Sequence, residues 1–178
     1  MSTVDLMLLG LLMEKPMNAY EMKKVMEFRN VKTWVKISIP SVYKNLLTLC
    51  KKGYLDSKVV KEGEMPEKTI YSINEKGKDY FFKLMENYSE EPGMVYIDFM
   101  AFTGNIHNIE PQNGYLLVKN LQKALALKQE HIKFNIDSKK EFIPQHAVLM
   151  MELYARMYNL FSDWCAELCD ELKEKNNL

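Results

Sequence analysis

Apolar positions along the chain fall into short periodic blocks punctuated by proline, glycine and asparagine. In the first block, Leu6, Leu8, Leu9, Leu11 and Leu12 predict a helix over about Val4 to Met13, with Ser2 or Thr3 as its cap and Pro16 as its stop. Asn18 heads a second helix. Asn18 and Glu21 stand three apart, the spacing at which each side chain satisfies an amide at a helix start. Tyr20, Met22, Val25 and Met26 carry its period towards Phe28 to Asn30. Ser38, Ile39 and Pro40 open a third helix, since proline fits a first turn where its missing amide has no partner. Val42, Tyr43, Leu46, Leu47, Leu49 and Cys50 recur at helical spacing, Lys51 and Lys52 suit the negative end of the dipole, and Gly53 suits a left-handed cap.

The period then changes to alternation. Leu55, Ser57 and Val59 fall on one side of a strand, Asp56 and Lys58 on the other, and Thr69, Tyr71 and Ile73 share a face of a second strand. Asn74 caps a fourth helix to about Tyr88, with Tyr80, Phe81, Leu84 and Met85 inward. Ser89 to Gly93 reads as a boundary. Beyond it the pattern is helical only: a short helix from Met94 to Thr103, a loop to Glu110, a long helix from Pro111 to about Ile136, and a last helix from Pro144 to about Lys175. In that last helix Met151, Tyr154, Tyr158, Phe161, Cys165, Leu168 and Leu172 alternate steps of three and four, a heptad seam suited to a facing long helix. Leu153, Leu160 and Trp164 widen the stripe and predict more than one neighbour.

The fold expected is therefore mainly α with a small β-hairpin. Residues 1–90 form a winged helix-turn-helix domain, in which the second and third helices are the motif and the hairpin is the wing. Residues 93–178 form a helical domain. The interface of a homodimer is expected mainly from the last helix and the first part of the N-terminal helix, whose leucines give more apolar surface than one small domain needs.

Composition narrows the function. The chain of 178 residues has zero formal charge, so no global field points to nucleic acid. Residues 32–61 are different: Lys32, Lys36, Lys44, Lys51, Lys52, Lys58 and Lys61 stand against the single acid Asp56. Three cysteines give no disulfide framework and point to a reducing cytoplasm. The longest early apolar run, Leu6 to Met13, falls well short of the roughly 20 residues that span a bilayer. No glycine-rich phosphate loop, nucleophile–base set or paired carboxylates appear, so no enzyme is expected and no cofactor. Cys165 and Cys169 share a helix face, but His107, His131 and His146 are scattered, so no metal site is expected and the cysteines read as apolar filler.

One ordered set of residues carries a family resemblance. It comprises Leu8-Leu9-Gly10-Leu11-Leu12, Pro16 to Met22, Ile37 to Tyr43, Leu46, Leu49, Gly53-Tyr54-Leu55, and Tyr71 to Gly77. With these the N-terminal half resembles the PadR family of bacterial transcription regulators, and the two helices after Pro111 look like the C-terminal domain of its virulence-activator branch. The resemblance implies a cytoplasmic homodimer, most often a repressor, that binds double-stranded DNA at a pseudo-palindromic operator and is released by a small-molecule effector. It implies DNA contacts from Tyr20, Ser38, Ser41, Tyr43, Lys44, Asn45 and Lys68, and dimerisation through the seam from Met151 to Leu172. The sequence departs from the family pattern at the wing, where Glu62, Glu64 and Glu67 outnumber Lys61 and Lys68. An acidic wing favours the competing expectation of a winged-helix protein-interaction module that does not bind DNA.

Two readings stay open at several positions. Tyr20 and Tyr43 are core residues with solvent-reaching hydroxyls, or phosphate contacts. Trp34 covers the core, or lines an effector crevice between the domains. Thirteen methionines and eighteen phenylalanines and tyrosines fit an adaptable core, or a pocket for a small aromatic or apolar effector.

Overall fold

Each helix start in the N-terminal half is written into the sequence as a cap. In the computed structural model, which describes residues 2–61 and 67–176, Ser2 accepts from the amide of Asp5 at 3.1 Å and opens α1 (Thr3–Glu14). Asn18 and Glu21 exchange bonds of 2.9 and 2.8 Å in a full capping box that opens α2 (Ala19–Phe28). Ser38 and Ser41 do the same for α3 (Ile39–Lys51), and Asn74 caps α4 (Glu75–Glu90) by accepting from the amide of Gly77 at 3.0 Å. Gly53 takes the left-handed conformation after α3 (φ 73°), which turns the chain into β2 (Leu55–Val60).

Two compact units divide at Val95 and Tyr96, and each is described by itself. In the first, α1 is apolar nearly all round and is surrounded by α3, α4 and β3 (Lys68–Ile73). Leu8, Leu9, Leu11 and Leu12 are all buried there, with Met22, Leu46 and Leu49 among their neighbours in the core. The leucines that suggested surplus apolar surface on the first helix are thus enclosed by their own unit. Asp5 is buried at the start of α1, where the Tyr80 hydroxyl donates to it at 3.4 Å.

A third strand was not expected from the sequence. β1 is only Met17–Asn18, and it pairs antiparallel with β3, Met17 opposite Tyr71 and Asn18 opposite Ile70. The sheet order is β1-β3-β2, and β2 pairs with β3 from Leu55 opposite Ile73 to Val60 opposite Lys68. Burial of Met17 holds the short strand in place. The acidic loop that carries Glu62 and Glu64 lies outside the described residues.

Residues 29–38 connect α2 to α3, a longer link than the three or four residues of a minimal motif. It is pinned rather than loose. Asn30 turns left-handed (φ 51°), Val31 to Thr33 form one 3-10 turn, and Val31 and Val35 are buried. Arg29 clamps Glu14 at the end of α1 with two bonds of 2.6 and 2.7 Å. The hydrogen bond from Arg29 holds the Glu14 carboxyl below its ordinary range.

The helix expected from Met94 to Thr103 forms only as α5 (Met100–Gly104). Gly93 at φ 82° follows Pro92, and no capping side chain precedes the β-branched and aromatic stretch Val95-Tyr96-Ile97. In the second unit α6 (Pro111–Lys139) and α7 (Gln145–Asn176) pack as an antiparallel pair. Gln122 donates to the Ser162 carbonyl at 3.2 Å, and Gln129 to Asn159 at 3.0 Å. Val118 and Leu125 of α6 meet Cys165 and Cys169 of α7 in the core of this pair.

That packing takes up part of the seam. Cys165 has no exposed surface and lies in the core of the intrachain pair. Tyr158, Phe161, Leu168 and Leu172 are partly buried against the same core, as is Trp164. Met151 and Tyr154 are half-buried. The most exposed apolar line on α7 is instead Leu149, Leu153 and Leu160, spaced four and seven apart. Burial pushes the Cys165 and Cys169 thiols up, as expected of inert filler. Among the described residues no helix is long and apolar enough to cross a membrane.

Candidate nucleic-acid interface

The site is built on α3. Val42, Leu46 and Leu49 are its buried stripe, and this fixes which residues look outward. Pro40, Tyr43, Lys44, Leu47 and Lys51 form the outermost line, with Tyr43 47% and Leu47 57% exposed. Asn45 and Thr48 lie half-buried on the flanks. Lys44 is where a solvent-facing cation was expected; Leu47, which the helical period had placed among the inward residues, is not inward.

Two of the expected contacts are already engaged locally. Ser38 and Ser41 cap α3 reciprocally: the Ser38 amide donates to Ser41 Oγ at 3.1 Å and the Ser41 amide to Ser38 Oγ at 3.3 Å. The Ser41 hydroxyl also donates to the Ser38 carbonyl at 2.6 Å. The Thr48 hydroxyl donates to the Lys44 carbonyl at 2.9 Å. These short polar side chains satisfy their own helix first.

A groove of about 790 Å³ joins α3 to the start of α2 and to the inner strand of the wing. Tyr20, Tyr43 and Leu47 stand along it, Lys68 and Thr69 come from β3, and Tyr71 is buried at its floor. Tyr20 is 57% exposed, with the Lys24 ammonium 4.7 Å from its ring centre. Tyr20 and Tyr43 are therefore surface residues, not core residues. Glu67 also lines the groove, so the wing side is mixed in sign. The groove thus brings together Tyr20, Tyr43 and Lys68 and adds Leu47, while Lys44 is exposed on α3 outside the groove lining and Asn45 is set to the side.

Trp34 is elsewhere. It packs half-buried against the core of the first unit. A smaller cleft of about 300 Å³ near it, between the end of α2 and the start of α3, is lined by Met26, Lys32, Ile37 and Ile39 among others, but not by Trp34.

Three helices, a three-stranded antiparallel sheet with a wing, and a fourth helix define a winged helix-turn-helix unit, followed by a unit of long antiparallel helices. Residues 8–83, which span the winged unit, match the family model for the Transcriptional regulator PadR-like family. The whole chain has the fold of solved PadR-like proteins. It is similar to Bacillus subtilis PadR in complex with operator DNA, with 15% identity and a TM-score of 0.82 over 97% of this chain and 98% of that one. It is similar to the PadR-like transcriptional regulator BC1756 of Bacillus cereus, with 18% identity and a TM-score of 0.74 over 98% and 100%. The Vibrio cholerae virulence activator AphA shares the fold at 15% identity and a TM-score of 0.69 over 97% and 99%. Bacillus subtilis PadR is also known in complex with p-coumaric acid, and that structure matches at 12% identity and a TM-score of 0.77 over 97% and 98%. No curated protein sequence matches the chain.

Proposed function

We propose that the protein is a cytoplasmic, homodimeric transcription regulator. Residues 1–90 bind double-stranded DNA at a pseudo-palindromic operator, and residues 93–178 dimerise. The observation that carries this reading is the outward face of α3, where Lys44 and Tyr43 stand beside a groove that also takes Tyr20 and Lys68. The lysine-rich stretch of residues 32–61 supplies the field that attracts phosphate. The fold shared with an operator-bound PadR supports it. By the same family likeness the regulator is a repressor, released by a small aromatic or apolar effector, as the p-coumaric acid complex of Bacillus subtilis PadR suggests. It is not an enzyme.

The dimer surface we assign is the exposed line Leu149, Leu153 and Leu160 on α7. Three leucines this open on one helix face call for a cover. Two subunits then present two copies of α3 to half-sites one helical turn, or a multiple of it, apart.

Selection of bound duplexes from a random pool, followed by a salt titration, tests the reading. A dimer that neutralises about eight phosphates loses affinity with a log–log slope near −7. A flat salt response would move the assignment to a winged-helix protein-interaction module, a reading that Glu67 in the groove favours. Sedimentation of Leu153→Glu/Leu160→Glu should give a folded monomer. A variant that sediments as wild type would displace the interface from this face.

A further inference from the structure

Leucine is an unexpected side chain on the exposed line of a helix that reads DNA. The core does not need Leu47, because Val42, Leu46 and Leu49 already form the buried stripe of α3. Leu47 instead stands 57% exposed, one helical turn beyond Tyr43 and on the same side as Lys44. Both Tyr43 and Leu47 line the groove towards β3.

The polar alternatives on this helix are largely withdrawn. The Ser41 hydroxyl is bonded to Ser38, the Thr48 hydroxyl is bonded to the Lys44 carbonyl, and Asn45 is on the flank. What α3 holds out between its two ends is the cation of Lys44 and the apolar surfaces of Tyr43 and Leu47, with Lys51 at its last turn. In the major groove, hydrogen-bonding edges belong to every base pair, but an apolar group belongs to one standard base: the C5 methyl of thymine. An exposed leucine has nothing to offer guanine, adenine or cytosine and leaves their polar edges without partners.

We propose that Leu47, with the ring of Tyr43 beside it, is a specificity-determining residue that reads thymine methyl groups in the operator half-site. This rests on the DNA-binding reading above. Residues four apart on a helix are separated by about 6 Å along its axis, and successive base pairs by about 3.4 Å. Leu47 and Tyr43 therefore reach methyls about two base steps apart. Each half-site should contain a thymine that Leu47 requires, with a second thymine contact near it.

The test removes the methyl and nothing else. Each thymine of the selected site is replaced in turn by deoxyuridine, and binding to the full-length protein is measured by fluorescence anisotropy. At the position under Leu47, uridine should weaken wild-type binding about fourfold per methyl removed, the equivalent of burying one methylene-sized group. Leu47→Ala, at an exposed helical position and checked by thermal unfolding, should bind the thymine duplex more weakly. It should not distinguish thymine from uridine at that position, and its salt slope should match wild type. If uridine is neutral at every position while binding stays sequence-specific, or if Leu47→Ala keeps the full uridine penalty, Leu47 is not the methyl reader although the protein still binds DNA. If no duplex is bound at all, both readings fall together.

Discussion

Gly77 sits in the first turn of α4 against the backbone of Tyr54, and a methyl group there has nowhere to go. A β-carbon at this position lies 2.1 Å from the Tyr54 carbonyl oxygen and 2.8 Å from Ile73 Cγ1. The first distance is short of ordinary contact by more than about 1 Å. In Gly77→Ala the helix must therefore back away from the turn between α3 and β2. Three bonds cross that junction: the Asn74 amide to the Tyr54 carbonyl at 3.4 Å, Asn74 Nδ2 to the Gly53 carbonyl at 3.2 Å, and Lys76 Nζ to the Lys52 carbonyl at 3.1 Å. Overpacking of this kind costs about 1–3 kcal/mol, and weakened junction bonds add about 1 kcal/mol. The better helix propensity of alanine returns up to about 1 kcal/mol. The net is a loss of about 2 kcal/mol, or roughly 10 °C in melting temperature for a unit of this size. Thermal unfolding followed by circular dichroism reads it. Gly104→Ala is the control, because nothing lies within 4 Å of its β-carbon position. If Gly77→Ala melts within about 2 °C of wild type, the close approach of α4 to Tyr54 does not constrain the fold.

Lys44→Ala should weaken binding to all duplexes and reduce the magnitude of the dimer's salt slope by about 1.8, one phosphate contact from each subunit, whereas an unchanged slope would remove Lys44 from the phosphate contacts. Glu14→Gln tests the Arg29 clamp, which lowers the Glu14 pKa from 4.5. A depressed folded pKa contributes stability that is present above the unfolded value and is lost as pH falls through the folded one. The variant should thus be less stable than wild type at pH 7, by no more than a few tenths of a kcal/mol at so exposed a pair, and the gap should close in acid. A gap that widened below pH 4.5 would reverse the sign of the argument. Cys165 and Cys169 should react slowly with an aromatic disulfide reagent at pH 8 and rapidly once unfolded, since burial both covers them and raises their pKa values. Rapid labelling of the native chain would show that the α6–α7 core is open.

What was legible in the sequence was mostly chemistry between near neighbours. The Asn18–Glu21 box, the Ser38 and Asn74 caps and the left-handed Gly53 each depend on residues a few positions apart, and each is found where the pattern put it. What was not legible depends on distant partners. β1 is two residues long and exists because Tyr71 and Ile70 are there to receive it. The α7 stripe has enough apolar residues for two faces, and periodicity alone does not say which face α6 takes; Val118 and Leu125 decide it, and Cys165 goes inward. At the candidate site, Lys44 was readable as outward. Leu47 was not, because Leu46, Leu47 and Leu49 are equivalent until the neighbours of α3 are known. Ser38 and Ser41 looked like donors for a ligand, but their spacing is also that of a reciprocal cap.

Strand β1 has a mechanical meaning. Asn18 is at once the last residue of a strand and the cap of α2, so no slack separates the sheet from the helix that carries Tyr20. The distance from Tyr20 to the base of the wing is gauged by an inter-strand ladder of about 4.8 Å and not by a loop. A load applied to β3 swings α2 with it, and the two flanks of the groove behave as the arms of one rigid yoke. The amides that join β1 to β3 should accordingly exchange with solvent only when the whole winged unit opens, late and together, and not by fraying of the short strand.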